Sequence, residues 1–367
     1  MLTNFLTTRP ADTLLSEPDT LAVLEFEHTV STLGSTPLRL RTLKESNQTI
    51  TQNEVWKSST KIINKGSTDG CIWRYSDDYL FIAVDLDCTV NDDLEAVSEQ
   101  AYKKLLSIIV DSNYKNLIRF WNIIPRINAG IGDGENYKRF CNGRLNAFNE
   151  FSINSAQFPA ASAVGHHDDG ITVYAIAGKI KPSHIGNPRQ IEAFNYPRQY
   201  GPTSPSFARA TSLELTNENR LFFISGTASI LGHDSVHVGD LIGQLHTTND
   251  NILYLLKEVG LKRNNIQSLR VYLRHLEHYQ ETMNTLKNWC PHAQIIITHA
   301  DICRSDLLVD QRLDQTGADK PGTTGDQNML TWLQACHQCG RITAVKPVTT
   351  RRGHQIPRTE YTNTDGR

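Results

Sequence analysis

The sequence lacks any apolar run that approaches the roughly 20 residues needed to cross a membrane as a helix. Its first residues, MLTNFLTTRPADT, also lack the basic segment followed by an apolar segment that marks a secretory signal. Neither sign of charge dominates, because 37 basic residues face 39 acidic ones and leave a net charge of -2. We therefore expect a cytoplasmic protein that binds neither membranes nor nucleic acid.

Cysteine is also scarce, with seven in 367 residues. An odd number, without a secretory signal, predicts reduced thiols rather than a disulfide framework. The CxxC spacing in CHQCG at 336–340 has no second pair nearby to complete the about four ligands that zinc requires. No metal site is therefore expected.

The chain contains the same order of elements twice, which indicates a duplicated domain rather than a solenoid. Apolar residues at helical spacing in DDLEAVSEQAYKKLLSIIVDSNY precede the strand-like NLIRFWNIIPRI, a second helix and further β-branched strands. GDLIGQLHTTNDNILYLLKEVGL, IQSLRVYLRHL and EHYQETMNTLKNW repeat this order in the second half. The matching landmarks are Arg119 with Arg270, Tyr137 with Tyr279 and Pro159 with Pro291.

These patterns predict an α+β fold of two units, each with helices packed on one face of a mixed sheet. The expected segments are an N-terminal region 1–78, a first unit 79–180, a middle loop 181–219, a second unit 220–310 and a tail 311–367. Prolines and aromatic residues in the middle segment predict an ordered loop that covers a cleft. The tail is rich in Gly, Thr, Gln and charge, so we expect most of it to pack poorly.

One predicted helix combines cations with apolar anchors. NYKRFCNGRLNAF at 136–148 carries Tyr137, Lys138, Arg139 and Arg144 among Phe140, Cys141, Leu145 and Phe148. Arginine on such a helix usually extends its charge into solvent, so this pattern alone does not predict a binding site.

Together with YPRQYGPTSPSFARAT, FISGTASILGH and THADICRSDLLVD, this helix resembles the chorismatase family, also labelled pteridine-dependent dioxygenase-like. The resemblance runs from about residue 70 to about residue 310. The second unit alone is similar to the small trimeric enamine/imine deaminases, so the resemblance implies two fused deaminase-like units. It also implies a cytoplasmic enzyme without metal or organic cofactor that cleaves chorismate to pyruvate and a ring product.

Chorismate carries two carboxylates, and planar guanidinium groups can pair with carboxylates through two parallel hydrogen bonds. By resemblance, Arg144 is the first candidate for this contact, with Arg139 and Tyr137 near it. The other substrate-binding candidates are Tyr200, Arg209, Gly226, Thr227 and Ala228.

The chemistry requires an acid, because an enol ether is cleaved after protonation of its methylene carbon. The family has a glutamate directly after DLLV, where this chain has Asp310. The family strand continues with apolar residues, whereas this chain continues QRLDQTG, so the strand either ends early or reflects an altered reading frame. Asp310 is therefore both a candidate acid and a polar residue at a strand end.

Cys303, in ADICR, corresponds to a cysteine that accompanies the hydroxybenzoate-forming members of the family. In those members the ring hydroxyl is thought to displace the side chain, without direct participation of water. We therefore expect 3-hydroxybenzoate, with 4-hydroxybenzoate as a candidate co-product.

Two other functions stay open. Asp310 and the unusual tail fit a catalytically impaired member that still binds chorismate or a hydroxybenzoate, whereas the second unit fits an enamine/imine deaminase. Because fused units can satisfy internally the interfaces of a trimer, a monomer and a trimer are both expected possibilities.

Overall fold

Three mixed β-sheets carry the structure. The computed structural model describes residues 1–26, 39–42, 52–216 and 219–316, all within a compact unit that ends at Ala318. None of the described helices has the length and apolar character that a membrane crossing requires.

The N-terminal sheet has the strand order β1-β4-β2-β3 and carries one short helix. Its elements are β1 (Leu2–Thr7), α1 (Ala11–Ser16), β2 (Thr20–Phe26), β3 (Arg39–Thr42) and β4 (Asn53–Ser58).

The first repeated unit forms a sheet of order β18-β9-β8-β10-β7-β6-β5. Its elements are β5 (Asn64–Thr68), β6 (Cys71–Tyr75), β7 (Tyr79–Leu86), α2 (Leu94–Asp111), β8 (Asn116–Pro125), α3 (Asn136–Glu150), β9 (Ala160–His166) and β10 (Ile171–Gly178). The edge strand β18 (Asp301–Ile302) comes from the second half of the chain and pairs with β9.

The second unit forms a sheet of order β11-β12-β13-β19-β16-β17. Its elements are β11 (Ser183–Ile185), β12 (Ala210–Thr216), β13 (Asn219–Thr227), α4 (Leu241–Glu258), β16 (Ile266–Leu273), α5 (Tyr279–Trp289), β17 (Gln294–His299) and β19 (Val309–Thr316). A small hairpin, β14 (Ile230–Leu231) and β15 (Asp234–Ser235), follows β13.

The two sheets confirm the predicted α+β fold and its duplication. In both units a helix connects two neighbouring parallel strands, β8 to β9 through α3 and β16 to β17 through α5. The order β9-β8-β10-β7-β6 corresponds strand for strand to β17-β16-β19-β13-β12. Each sheet packs its helices on one face, because separate buried apolar clusters join α2 and α3 to the first sheet and α4 and α5 to the second.

Helices α2 and α3 approach each other very closely. A Cβ atom at Gly143 would lie 2.2 Å from the backbone oxygen of Glu95, so only glycine fits there. Asp93 begins α2 by accepting a hydrogen bond from the backbone nitrogen of Glu95. The close approach at Gly143 fixes the position of α3, the helix that carries the predicted cations.

Two differences from the sequence analysis concern the segment limits. The middle segment contains the regular strand β12 in addition to the ordered loop. The last strand continues to Thr316, so the prediction that 311–367 is a poorly packed tail is wrong at its start, where Gln311, Arg312 and Asp314 are buried. The polar residues suggested exposure to solvent, but Asp314 pairs with Arg119 of β8, and Arg312 lies over the rings of Trp121 and Tyr272. The rest of the tail lies outside the described residues, and the remaining limits stay predictions.

The sheet faces turned away from the helices bury a largely aromatic and aliphatic cluster, and three arginines lie beside it. We call these arginines and their partners the polar core. Arg119, Arg270 and Arg312 are each at most 2% exposed. Arg119 donates to Ser162 and lies 3.4 Å from Asp314, Arg312 lies 3.1 Å from Asp314, and Arg270 pairs with Glu54 of the N-terminal sheet. Burial opposes ionisation of Asp314, but the three arginines hold its pKa below the usual range. Three cations are thus gathered around two carboxylates.

We expect Asp314→Ala to lower the free energy of unfolding by about 3–5 kcal/mol, because it leaves buried guanidinium groups without their anion. Urea denaturation measures this loss. Glu214→Ala is the control, since Glu214 is 73% exposed and its pair with Arg220 should contribute no more than about 1 kcal/mol. Equal losses in the two variants would contradict the assignment.

Candidate active site

Arg144 lies on the inner face of α3 and is only 2% exposed. Its guanidinium carbon lies 5.1 Å from the centre of the Phe140 ring, and Tyr102 and Cys141 are electrostatic neighbours of the guanidinium. Its Nε and Nη2 atoms are buried and have no partner among the described residues. These two atoms form one edge of the guanidinium, so Arg144 presents a complete two-donor fork to an anion.

Tyr137 and Cys303 connect this arginine to the second unit. Tyr137 interacts electrostatically with Arg144, Cys141 and Cys303, and burial raises its pKa well above the usual range. Cys303 packs against the core of the first unit and against a small cluster of the second unit that contains Ala228. Residues of both units therefore meet beside Arg144, and we call this group of Arg144, Tyr137, Cys303 and Ala228 the candidate site.

Asp310, the second residue of β19, adjoins the candidate site through its neighbour Cys303. It is 6% exposed, and its Oδ1 atom has no hydrogen-bond partner among the described residues. Burial raises its pKa to about 8, although Arg312 and Arg119 act in the opposite direction. Cys303 is an electrostatic neighbour of Asp310, and burial together with this carboxyl raises the pKa of the thiol to about 12. At neutral pH both groups are therefore protonated.

Gly226 lies directly against the Asp310 carboxyl. A Cβ atom at this position would lie 2.9 Å from Oδ2 of Asp310, so a side chain there would displace the carboxyl. The predicted neighbours differ in orientation: Thr227 donates its hydroxyl to the backbone of Ser225, whereas Ala228 is buried in the cluster beside Cys303.

Two neighbouring tyrosines of the middle loop, Tyr196 and Tyr200, form an aromatic wall beside Arg304. Arg304 lies beside both Tyr200 and Tyr196, with its guanidinium carbon 4.1 Å and 5.2 Å from the two ring centres. The Tyr200 hydroxyl donates to Asp234 of the β14–β15 hairpin, so its ring rather than its hydroxyl covers the arginine. Nη1 of Arg304 donates to the backbone of His233, while its buried Nη2 has no partner among the described residues.

The remaining predicted cations differ from each other. Arg209 is 4% exposed, donates to the Tyr196 hydroxyl at 2.8 Å and keeps a buried Nε without a partner among the described residues, so it contacts the same tyrosine as Arg304. Arg139 instead pairs with Asp93 at 2.7 Å, at the start of α2. No contact in the structure supports substrate binding by Arg139, and its role stays a prediction.

Sequence reasoning did not single out Arg304, Tyr196 or Tyr102. Arg304 directly follows Cys303, and an arginine within a motif that already carries a candidate residue was the available signal. Tyr196 was counted among the loop aromatics without a role. Tyr102 lies in α2, where its helical spacing gave no indication beyond the apolar core.

The fold and this group of residues define a class: an enzyme built from two fused deaminase-like units. The family model described as chorismatase FkbO/Hyg5-like, N-terminal, matches residues 54–177. The 3-hydroxybenzoate synthase of Streptomyces hygroscopicus is 33% identical over 272 residues, which cover 70% of this chain and 79% of that protein. The chorismatase of Streptomyces rapamycinicus is 35% identical over 67% of this chain and 77% of its own length.

A chorismatase crystal structure has the same architecture, with a TM-score of 0.76 and 29% identity over 85% of this chain and 98% of that one. The chain therefore belongs to the chorismatase family.

The raised pKa of Asp310 makes a prediction about stability. Below about pH 4 the carboxyl is protonated in both the folded and the unfolded chain, so it carries no penalty. As the pH rises towards 8 only the unfolded chain releases the proton, and folding becomes less favourable by up to about 1.4 kcal/mol per pH unit. Asp310→Asn should therefore be more stable than the parent protein, by a margin that grows from pH 4 to 8 and then levels.

Urea denaturation of both proteins across this pH range measures the margin. Asp168→Asn is the control, because Asp168 is exposed. A margin for Asp310→Asn that stays constant with pH would show that Asp310 ionises normally in the folded protein.

Proposed function

We propose that this protein converts chorismate to pyruvate and 3-hydroxybenzoate, with protonation of the enolpyruvyl methylene by Asp310 as the first chemical step. The observation that carries the proposal is the unpaired Nε and Nη2 edge of the buried Arg144. A buried guanidinium fork without an anion is costly, and a substrate carboxylate would supply the missing partner.

The second carboxylate of the substrate needs its own cation. Arg304 supports this role, because one of its terminal nitrogens is buried and unpaired while the other is anchored to the hairpin backbone. Arg209 supplies a further unpaired donor on the same aromatic wall. Binding a dianion between cations of the first unit and cations of the later chain would orient its ether side chain towards β19.

Asp310 has the properties that the acid step requires. Its carboxyl is enclosed, and its pKa of about 8 keeps the proton available at neutral pH. Proton donation to the methylene carbon leaves an oxocarbenium ion, which the ring hydroxyl resolves by displacing the side chain as pyruvate. The ring then loses a proton as it aromatises. The two products together contain all atoms of chorismate, so no water is consumed.

The deciding experiment is incubation with chorismate, with pyruvate detected by coupled lactate dehydrogenase. We expect Arg144→Met to lower kcat/KM by about 100-fold or more, because it removes a charged two-donor contact. Arg144→Lys should recover only part of this loss, since an ammonium lacks the planar fork. Arg220→Met, whose arginine pairs with exposed Glu214, is the control and should stay within about threefold.

Absence of pyruvate at high enzyme concentration would reject the proposal. The short side chain of Asp310 favours one alternative, a chain that binds chorismate or a hydroxybenzoate without turnover. Calorimetric binding without pyruvate, with turnover gained in Asp310→Glu, would establish that alternative. Ammonia release from an enamine substrate would instead favour the deaminase function.

Cys303 should determine the product rather than the rate of side-chain loss. A protonated thiol beside Asp310 occupies space in which water could otherwise attack the cationic intermediate. We expect Cys303→Ala to keep pyruvate release within about tenfold while a dihydroxy-cyclohexadiene acid appears at the expense of hydroxybenzoate. Chromatography against 3- and 4-hydroxybenzoate standards measures the ratio, and an unchanged ratio would remove Cys303 from this role.

We further infer a cytoplasmic enzyme that is monomeric or trimeric. All cysteines in the described residues are free, which supports a reducing compartment. Light scattering on the purified protein distinguishes the two assembly states.

A further inference from the structure

Residues 303–308 connect β18 to β19 and carry both Cys303 and Arg304. Among these described residues a single hydrogen bond joins two backbone groups of the segment itself, from the nitrogen of Leu307 to the oxygen of Arg304 at 3.2 Å. Backbone groups that are removed from water need partners. The conformation of this connecting segment therefore depends on groups outside it.

Arg274, the residue directly after β16, supplies several of these partners. Its Nη2 atom donates to the backbone oxygens of Ile302 and Arg304, each at 3.0 Å. A single nitrogen thus binds the residues on both sides of Cys303. Because hydrogen bonds from a charged donor are the stronger ones, this contact restrains the path of the backbone through the cysteine.

Arg274 also binds the other end of the connecting segment. Its Nε atom donates to the backbone oxygen of Leu307 at 2.8 Å, and its backbone nitrogen donates to the oxygen of Leu308 at 3.0 Å. Leu308 lies two residues before Asp310 in the chain. Both ends of the segment that separates Cys303 from the candidate acid are therefore attached to one residue.

The remaining nitrogen of Arg274 extends this network to the first unit. Nη1 donates to Asp301 at 2.7 Å and to Oδ1 of Asn128 at 3.2 Å. The Asn128 amide in turn donates to the backbone oxygen of Ile302 at 3.0 Å. Because Asn128 follows β8, the connecting segment is held from the first unit as well as from the second.

Every donor of the Arg274 side chain is used within the described residues. A guanidinium has five N–H groups, and the five hydrogen bonds given above match them one for one. Arg144, Arg209 and Arg304 differ, because each keeps a buried nitrogen without a partner among the described residues. Arg274 therefore has no donor left for a substrate carboxylate, and its side chain organises the protein instead.

We propose that Arg274 is a positioning residue that holds Cys303 and Arg304 in place and thereby determines how the cationic intermediate is resolved. This inference rests on the proposed function, which gives Cys303 its role in product formation and Arg304 its role in carboxylate binding. Arg274 itself touches neither the substrate nor the reacting atoms.

The test is Arg274→Lys, which keeps the charge but replaces the planar fork by a single nitrogen that cannot reach all of these oxygens. Because Cys303 is no longer held, we expect a dihydroxy-cyclohexadiene acid to appear at the expense of hydroxybenzoate, as in Cys303→Ala. Because Arg304 is displaced, kcat/KM for pyruvate release should fall about tenfold, the effect of weakening a hydrogen bond to a charged group. Product chromatography and coupled lactate dehydrogenase measure the two effects. In a Cys303→Ala background, Arg274→Lys should leave the product ratio unchanged.

Arg126→Lys is the matched control. The Arg126 side chain is 21% exposed, compared with 12% for Arg274, and it also binds a carboxylate and a backbone oxygen, those of Asp169 at 2.7 Å and Cys88 at 3.4 Å. Its side chain has no hydrogen bond to residues 301–308 among the described contacts. The control should therefore keep the product ratio of the parent protein.

Asn128→Ala is a milder second variant. It removes the hydrogen bonds of Asn128 to Arg274 and to Ile302 but leaves the arginine in place. The product ratio should move in the same direction as in Arg274→Lys, by a smaller amount. If Arg274→Lys does not fold, this variant decides the proposal in its place.

Hydrogen exchange measured by mass spectrometry gives a readout that does not depend on turnover. We expect amides of residues 301–308 to exchange on the order of tenfold faster in Arg274→Lys, without a change in α2. An unchanged product ratio, a further shift in the Cys303→Ala background, or unchanged exchange in 301–308 would each overturn the proposal. If the parent protein releases no pyruvate, the proposed function fails, whereas the exchange comparison still decides whether Arg274 holds the segment.

Discussion

Burying three arginines at the centre of the molecule is the constraint on which the catalytic geometry depends. Arg119 and Arg270 occupy equivalent places in the two units, and Asp314 must lie between them and Arg312 for the cluster to be neutralised. This requirement fixes the register of β19 between β13 and β16. Because alternate residues of a strand face the same side, Asp310 is then placed on the face that carries Arg312 and Asp314. The position of the candidate acid therefore depends on the ion pairs of Asp314, which follows it in the same strand.

The molecule uses buried guanidinium groups in two different ways. In the polar core they are matched by Asp314, Glu54 and buried hydroxyl groups, so their charge is largely cancelled within the protein. Around the candidate site Arg144, Arg209 and Arg304 form no ion pair among the described residues; Arg209 donates to a tyrosine and Arg304 to a backbone oxygen. Both groups of arginines keep buried donors without partners, but only the second group lacks an ion pair, so an added anion would supply its missing countercharge.

Periodicity in the sequence was sufficient to find the elements that carry the residues of the candidate site. The helical spacing of α2 and α3, the β-branched strands and the order of the repeats all correspond to the structure. Local patterns could not distinguish Arg139 from Arg144 without the resemblance, although five residues rotate a helix by about 140° and so place them on different faces. The continuation of β19 was also not predictable, because Asp314 finds its partner Arg119 in β8, far away in the chain. Burial of charge depends on such distant partners, and a window of neighbouring residues does not contain them.

Duplication followed by fusion has allowed the two copies to specialise. With Tyr137 aligned on Tyr279, the counterpart of Arg144 in the second copy is Leu286, a buried apolar residue. With Arg119 aligned on Arg270, strand pairing makes Tyr174 the counterpart of Asp310 in the first copy. A ring of identical subunits would have to place the same residues at every junction. A single covalent chain can instead place Arg144 in one ancestral half and Asp310 in the other, and thereby build an asymmetric site from a symmetric origin.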